Sequence, residues 1–362
     1  MILYFCSASY GGIADYAHHQ AMALAGLGEE VVLLCPIDFP HAAKHYQVRP
    51  ELASTQPQGG RWANRFRIAR TIFSHTSRLD EVIAELQPKQ VLFATYSEYF
   101  APFWAGKFRK WQEKGISFSA VVHDPVRDHV VGPKWWHESS IQSGYSFLSH
   151  GFVHEDIELP IPTTIIPHGP FSFPEPTQSP EAVRKHFGIP MGARLLLSFG
   201  HLRNNKNLSL ILEALPEEAH LLIAGSEAPS GQINSQTYRK QSEHLGISDR
   251  VHWDIAHISE ASAADYFQAS DVVMLTYDAT FHSASGVLNV AAHYEKPIIV
   301  SSGSGPLQSL MTDYSLGHWC APDSASAISS ALALSMDHVD WSSYLADNSW
   351  AENARRVRAA LS

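Results

Sequence analysis

The chain has 362 residues, 45% of them hydrophobic and 17% charged. That balance excludes an intrinsically disordered chain, and the length suffices for two domains with buried cores. The formal net charge of −10 argues against a broad nucleic-acid surface and leaves room for a local basic pocket of the kind a diphosphate needs.

Residues Ile2–Cys6 read as a core strand rather than a signal peptide, because no basic leader or cleavage site accompanies them. A Gly11-Gly12 loop follows, then a helix over Ile13–Leu27 ended by Gly28, and a strand over Glu30–Cys35. Further strands are predicted at Gln90–Ala94, Phe118–His123, Tyr145–Leu148, Gly151–Val153 and Thr164–Ile166. Several are continuous apolar runs, as expected where helices cover both faces of a parallel sheet. The stretch from Phe103-Trp104 to Trp111 mixes aromatic and basic residues, which suits either an interfacial helix or a partly buried surface helix. No run of 18 apolar residues occurs. Cys6, Cys35 and Cys320 are far apart and form no CxxC pair, so a reduced cytoplasmic setting fits better than a disulfide framework or a thiolate metal site. Peripheral contact with the inner face of a membrane remains compatible with this pattern.

Phe171 to Pro180, with three prolines, is the linker candidate. A second α/β series follows it: helix Pro180–Phe187, strand Leu195–Phe199, helix Leu208–Leu215, strand His220–Ala224 and helix Ser235–Leu245. It continues with strand Val251–Trp253, helix Ser259–Ala269, strand Asp271–Leu275, helix Ser285–His293 and strand Pro297–Ser301. A last helix is predicted over Asn348–Leu361. The expected organisation is a Rossmann-like domain over 1–172, a second over 181–345, and a C-terminal helix, 346–362, packing back on the first. The fold class is α/β, with two doubly wound domains facing a cleft.

Ligands of doubly wound sheets bind beyond the carboxyl ends of the strands, so the loops there carry the chemistry. Ser7 to Gly12 places two glycines before a helix, where a backbone can approach a phosphate or hydroxyl. It is neither a GxGxxG fingerprint nor a P-loop, which argues against an NAD dehydrogenase. His123-Asp124-Pro125 ends an apolar strand, with Arg127, Asp128 and His129 behind it. A sugar-contacting histidine and a packed histidine beside a capping aspartate are both open readings. Gly200 to Asn207 carries Arg203 and Lys206 ahead of a helix, a plausible diphosphate cradle or a solvated basic turn. Tyr277 to Asn289 contains Ser285 as a helix cap, with the amides of Gly286 and Val287 available to a phosphate.

In this order and spacing the segments resemble the GT-B glycosyltransferases, specifically the retaining enzymes related to sucrose and glycogen synthases (family 4). The resemblance spans nearly the whole chain. It rests on the glycine pair, Ile166-Pro167-His168-Gly169, Ser198–Lys206, and Ser283 to Pro297 with its continuation into Ile298–Ser301. It implies transfer of a sugar from a nucleotide diphosphate sugar to a glycan, glycolipid or other hydroxyl acceptor, with retention, in polysaccharide biosynthesis. Under it His123 and His282 face the transferred sugar. Gly12, Arg203, Lys206, Ser285, Gly286 and Val287 hold the diphosphate, while Gly200, His257, Ile258 and Asn289 frame the nucleoside. Gly11, Asp124 and Arg127 lie on the acceptor side, with Tyr96 and Glu98 nearby. No cofactor or metal is expected, since fixed cations and a helix dipole neutralise the leaving group. Two departures stand out: His201 replaces the family's arginine after the matched glycine, and its glutamate pair falls on His282 and Val290. A non-catalytic nucleotide-sugar-binding or partner subunit, or a GT-B epimerase or hydrolase, is therefore the rival reading.

Overall fold

Continuous apolar runs become the inner strands of two parallel sheets, because alternate residues of each strand feed cores on opposite faces. A computed structural model describes residues 1–55, 61–95, 98–123, 133–154, 156–170, 173–228, 232–282 and 285–362, and of 61–67 and 99 it describes the backbone alone. The chain divides into two units, Met1–Gly169 with Asn348–Ser362, and Pro170–Asp347.

In the first unit the strands are β1 (Ile2–Cys6), β2 (Val31–Pro36), β3 (Gln47–Leu52), β4 (Gln90–Thr95), β5 (Ser117–Val121), β6 (His150–Val153) and β7 (Thr163–Ile165). They lie in the order β3-β2-β1-β4-β5-β6-β7, every pairing parallel. The helices are α1 (Gly12–Gly26), α2 (Arg61–Leu86), α3 (Ala101–Gln112) and α4 (Lys134–Tyr145). Leu3 and Phe5 of β1 pack with Leu79 and Val82 of α2 and Trp104 and Phe108 of α3. Ile2, Tyr4 and Cys6 pack on the other face, with Tyr16 and Leu24 of α1 and with Ala354 and Val357 near the C-terminus.

The second unit contains α5 (Pro180–Phe187), β8 (Arg194–Phe199), α6 (Leu208–Ala214), β9 (Ala219–Ala224), α7 (Ser235–His244), β10 (Val251–Asp254), α8 (Glu260–Ala269) and β11 (Val272–Thr276). It continues through α9 (Gly286–His293), β12 (Ile298–Ser301), α10 (Pro306–Asp313), β13 (Gly317–Trp319), α11 (Ala325–Leu332) and α12 (Ser342–Asp347). The sheet order is β10-β9-β8-β11-β12-β13, again with parallel pairings. Leu195 and Leu197 enter one core and Leu196 the other. The last helix, α13 (Trp350–Leu361), belongs to the first unit. Among the described residues no helix is long and apolar enough to cross a membrane.

One detail differs from the sequence reading, and two others are settled by the structure. Tyr145–Leu148 is not a strand: Tyr145 closes α4 and Phe147 and Leu148 follow in a turn, all three buried. Their apolarity serves the core without extending the sheet. The aromatic-basic stretch is helix α3, with Trp104 and Phe108 buried and Phe103 65% exposed. Its apolar face is thus spent largely on the core. The linker candidate is pinned at its end by Asp265 of α8, which accepts from Thr177 N at 2.6 Å and Gln178 N at 2.9 Å.

A buried polar network ties α13 to the first sheet. Asn353 donates to Tyr16 OH at 2.9 Å and to Pro167 O at 2.7 Å, and accepts from Gln20 Nε2 at 2.7 Å. Tyr4 OH donates in turn to Gln20 Oε1. A half-satisfied network in a dry core is costly. We therefore expect Asn353→Ala to destabilise the protein by roughly 2–3 kcal/mol, read as a lower urea midpoint.

Candidate functional site

Each sheet reverses direction once, between β1 and β4 in the first and between β8 and β11 in the second. Loops at such a switch point part to opposite faces and leave a crevice beyond the strand ends. In the second unit the two flanking loops are tied together. Asp278 N donates to Asn205 O at 2.9 Å. Asp323 then accepts from Ala279 N at 3.0 Å and from Asn207 Nδ2 at 3.1 Å, clamping both loops from outside. The backbone stacks closely here: a Cβ on Gly225 would lie 2.1 Å from the Gly200 carbonyl oxygen.

This packing aims Lys206. It ends a single 3-10 turn, Asn204–Lys206, and folds back so that Nζ donates to Phe199 O. A Cβ placed on Gly200 would lie 3.1 Å from Lys206 Nζ and 3.8 Å from Val287 Cγ2. Gly200, Lys206 and the start of α9 therefore converge on one point. Burial, and then the charge of nearby Arg203, push the Lys206 ammonium down to about 8. Such a cation is short of counter-charge and gains from an anion. Arg203 is exposed, free to swing a fork of donors. A small hollow joins Ser198, Gly200, His201, Arg203 and Lys206.

Ser285 occupies the cap position of α9, but its side chain does not cap: Oγ pairs with Tyr277 OH at 2.8 Å instead. The first-turn amides of Gly286 and Val287 thus lack a side-chain acceptor from their own cap, at the positive end of the helix dipole. Gly286 is exposed, Val287 and Asn289 half-buried, and Val290 buried in the core. His282 is exposed, with Nδ1 donating to Ser304 O at 2.7 Å. His257 is exposed in the loop after β10, while neighbouring Ile258 packs on the core. His201, standing where the family has arginine, pairs with Ser226 Oγ at 3.2 Å.

In the first unit Gly11 (φ 78°) and Gly12 are exposed, and a Cβ on either would meet nothing within 4 Å. His123 Nε2 donates to Ala94 O at 3.1 Å, and burial lowers this imidazole to about 4. Glu98 is buried on a single 3-10 turn, Glu98–Phe100. Tyr96, Asp124, Arg127, Asp128, His129 and Ser283 lie outside the described residues.

Residues 180–357 match the family described as glycosyl transferases group 1. The match covers most of the second unit and part of α13, and the chain as a whole has the GT-B fold. Its fold is similar to HepE of Anabaena in complex with UDP (TM-score 0.62, 13% identity, 99% of both chains covered). It is also similar to the lipopolysaccharide outer core galactosyltransferase WaaB (TM-score 0.60, 15% identity, covering 99% of this chain and 98% of that one). A third likeness is sucrose-phosphate synthase from Thermosynechococcus elongatus (TM-score 0.54, 17% identity, covering 99% of this chain and 94% of that one). No curated protein matches in sequence.

Several parts of this candidate site escape a sequence reading. Asp323 lies 116 residues from the Asn207 it holds, and nothing local marks it. The Ser302–Gly305 loop was signalled only by its small residues. Gly303 N donates to Phe281 O at 3.0 Å, and a Cβ on Gly303 would strike the His282 ring at 2.4 Å.

Gly286 offers a clean separation of fold from function. A Cβ there would meet no atom within 4 Å, so the protein itself leaves room for one. Gly286→Ala, at the first position of α9, should raise stability by at most about 0.5 kcal/mol, since the preference for alanine is full only in a helix interior. It should at the same time weaken binding of a diphosphate that approaches the backbone, measured by calorimetry. The lysine gives a pH signature. Only its protonated form holds an anion, so affinity for a nucleoside diphosphate should fall as pH rises through about 8. The limit is about tenfold per pH unit. In Lys206→Met the slope over that window should vanish.

Proposed function

We propose that this glycosyltransferase moves a sugar from a nucleotide diphosphate sugar to a hydroxyl of a glycan or lipid-linked acceptor in polysaccharide assembly, with retention of configuration. The observation that carries the reading is the convergence of Lys206 Nζ and the α9 N-terminus on one point beside Gly200. Cleaving the sugar–phosphate bond places negative charge on the departing diphosphate. Lys206, Arg203 and the amides of Gly286 and Val287 neutralise it with charges fixed in advance, which is where electrostatic catalysis is strongest. These groups do the work that a bound cation does elsewhere, so the reading needs no metal at the diphosphate. HepE, a similar fold, has been seen with UDP, which supports a uridine or related base framed by His257, Ile258 and Asn289. His123 and His282 are the histidines assigned to the transferred sugar, and Gly11, Gly12, Asp124 and Arg127 to the acceptor side.

The acceptor is expected to carry an apolar portion. A cavity of about 270 Å³ in the first unit is lined by Phe5, Ile68, Ile72, Phe93 and Trp104, with Ser7 and Thr55 supplying hydroxyls. Such a lining favours an alkyl or aryl aglycone over a bare sugar.

A non-catalytic sugar-nucleotide-binding role is the second reading, favoured by one observation. The position of the family's ribose-binding glutamate holds Val290, which is buried in the core and offers no acceptor.

The test is a thermal-shift panel of UDP, GDP, ADP and TDP sugars, followed by turnover with and without alkyl-glycoside acceptors. One donor class should raise the melting temperature, and transfer should need the acceptor. Lys206→Ala should cost roughly 1.5–3 kcal/mol in donor binding or in kcat/KM. Unchanged donor affinity and activity in that variant would remove the lysine from its role. Binding without turnover would favour the non-catalytic reading, and donor cleavage without acceptor a hydrolase.

A further inference from the structure

Three neighbouring strands of the first sheet end in histidine. His123 follows β5, His154 follows β6, and His168 lies shortly after β7. Because β5, β6 and β7 are parallel and adjacent, their carboxyl ends deliver these side chains to one place. One potential ligand nitrogen from each ring lies within 4.8 Å of the others. Among the described residues this is the one grouping of its kind.

The outer hydrogen bonds sort the tautomers. His123 Nε2 faces Ala94 O at 3.1 Å, His154 Nδ1 faces Ile166 O at 3.1 Å, and His168 Nδ1 faces Gly169 O at 3.4 Å. A carbonyl can only accept, so those nitrogens carry the hydrogens. For His123 and His154 the lone pairs then sit on Nδ1 and Nε2 respectively. Backbone carbonyls hold the far nitrogen of metal-bound histidines in this way, fixing tautomer and ring orientation. His154 Nε2 is buried and has no hydrogen-bond partner among the described residues. A buried lone pair without a donor is costly unless something electron-poor meets it.

The ring spacing fits a single ion. The centroids are 5.4 Å apart for His123 and His154, 6.4 Å for His123 and His168, and 4.8 Å for His154 and His168. Three imidazoles on a tetrahedral zinc, with Zn–N near 2.0–2.1 Å, place their centroids about 5.2 Å apart. Small ring shifts close the difference. The competing account is a simple aromatic cluster: the Tyr16 ring packs edge-on against all three imidazoles. That packing explains their proximity, but not the orphaned His154 Nε2.

We propose that His123, His154 and His168 form a three-nitrogen site for a borderline transition-metal ion of the zinc type, with a fourth position open to water or a sugar hydroxyl. An all-imidazole set suits zinc and disfavours magnesium and calcium, which take oxygen ligands. Three protein ligands and an open position are the arrangement of zinc sites that bind substrate. The proposal goes beyond the transferase reading, since it concerns the first unit and asks nothing of the diphosphate groups.

The test uses the full chain, without an affinity tag, stripped by chelator and titrated with zinc chloride alone against a chromophoric competitor. About one equivalent should bind, and cobalt(II) chloride alone should give the intense visible bands of a four-coordinate site. His154→Ala and His168→Ala, checked for fold by circular dichroism, should each weaken zinc by at least ~100-fold. His41→Ala, which removes a histidine stacked on His18 elsewhere in the unit, should leave binding unchanged. Zinc binding that survives His154→Ala and fails in His41→Ala would overturn the site. So would a wild-type chain that takes up no zinc and leaves cobalt six-coordinate, a result that needs no variant to fold. None of these readouts involves donor, so they stand apart from the fate of the transferase reading.

Discussion

The main-chain hydrogen bond from Asp278 N to Asn205 O is the constraint on which the candidate site of the second unit rests. It joins the loops that leave β8 and β11, the two strands between which the second sheet reverses. Without it those loops would diverge over opposite faces of the sheet. With it, Lys206 and the first turn of α9 are brought to the same corner. Asp323 reinforces the tie from a third segment, at the cost of a left-handed backbone (φ 58°) at a non-glycine residue. Rigid loops matter because a fixed cation and fixed amides stabilise developing charge without reorganising at the moment of reaction.

Lys206 shows how packing sets reactivity. Its ammonium is held against the Phe199 carbonyl in a partly buried setting, with no carboxylate paired to it among the described residues. The fold tolerates this unfavourable placement, a local conflict of the kind that marks binding sites. The missing glutamates are part of the same picture. Val290 belongs to the apolar face of α9, with Leu288, Ala291 and Ala292. That position therefore offers no polar group, and the polar side chain nearest it on the helix is the half-buried Asn289.

The regular elements were largely legible because their physical cause is local. Inner strands such as β8 and β9 are unbroken apolar runs, and α5 has Ser179 and Gly188 at its ends, the cap residues that sequence rules look for. The elements that were missed lack such signals. Strand β3 is a polar edge strand containing Pro50, stabilised by Arg49 pairing with Glu51 and with Glu85 of α2. The apolar stripe of helix α2 runs from Ile72 through Leu79, Val82, Ile83 and Leu86, and the first half of the helix is rich in arginine. The Tyr145–Leu148 error has the opposite origin: a buried apolar run without period information fits a strand or the end of a helix equally well.

The site itself was legible in its loops and not in its contacts. Sequence marks Gly200, Lys206 and Gly286 because glycine and cation types are informative next to a helix start. It cannot show that Ser285 gives up capping to pair with Tyr277, or that Asp323 closes the loop pair, since both depend on where distant segments meet. The three histidines of the first unit are the sharpest case. Each ends a separate strand and looks unremarkable alone. Only the parallel order β5-β6-β7 makes them neighbours, and only the carbonyls of Ala94, Ile166 and Gly169 orient their rings. A binding constellation on a parallel sheet is thus encoded by strand order as much as by residue type.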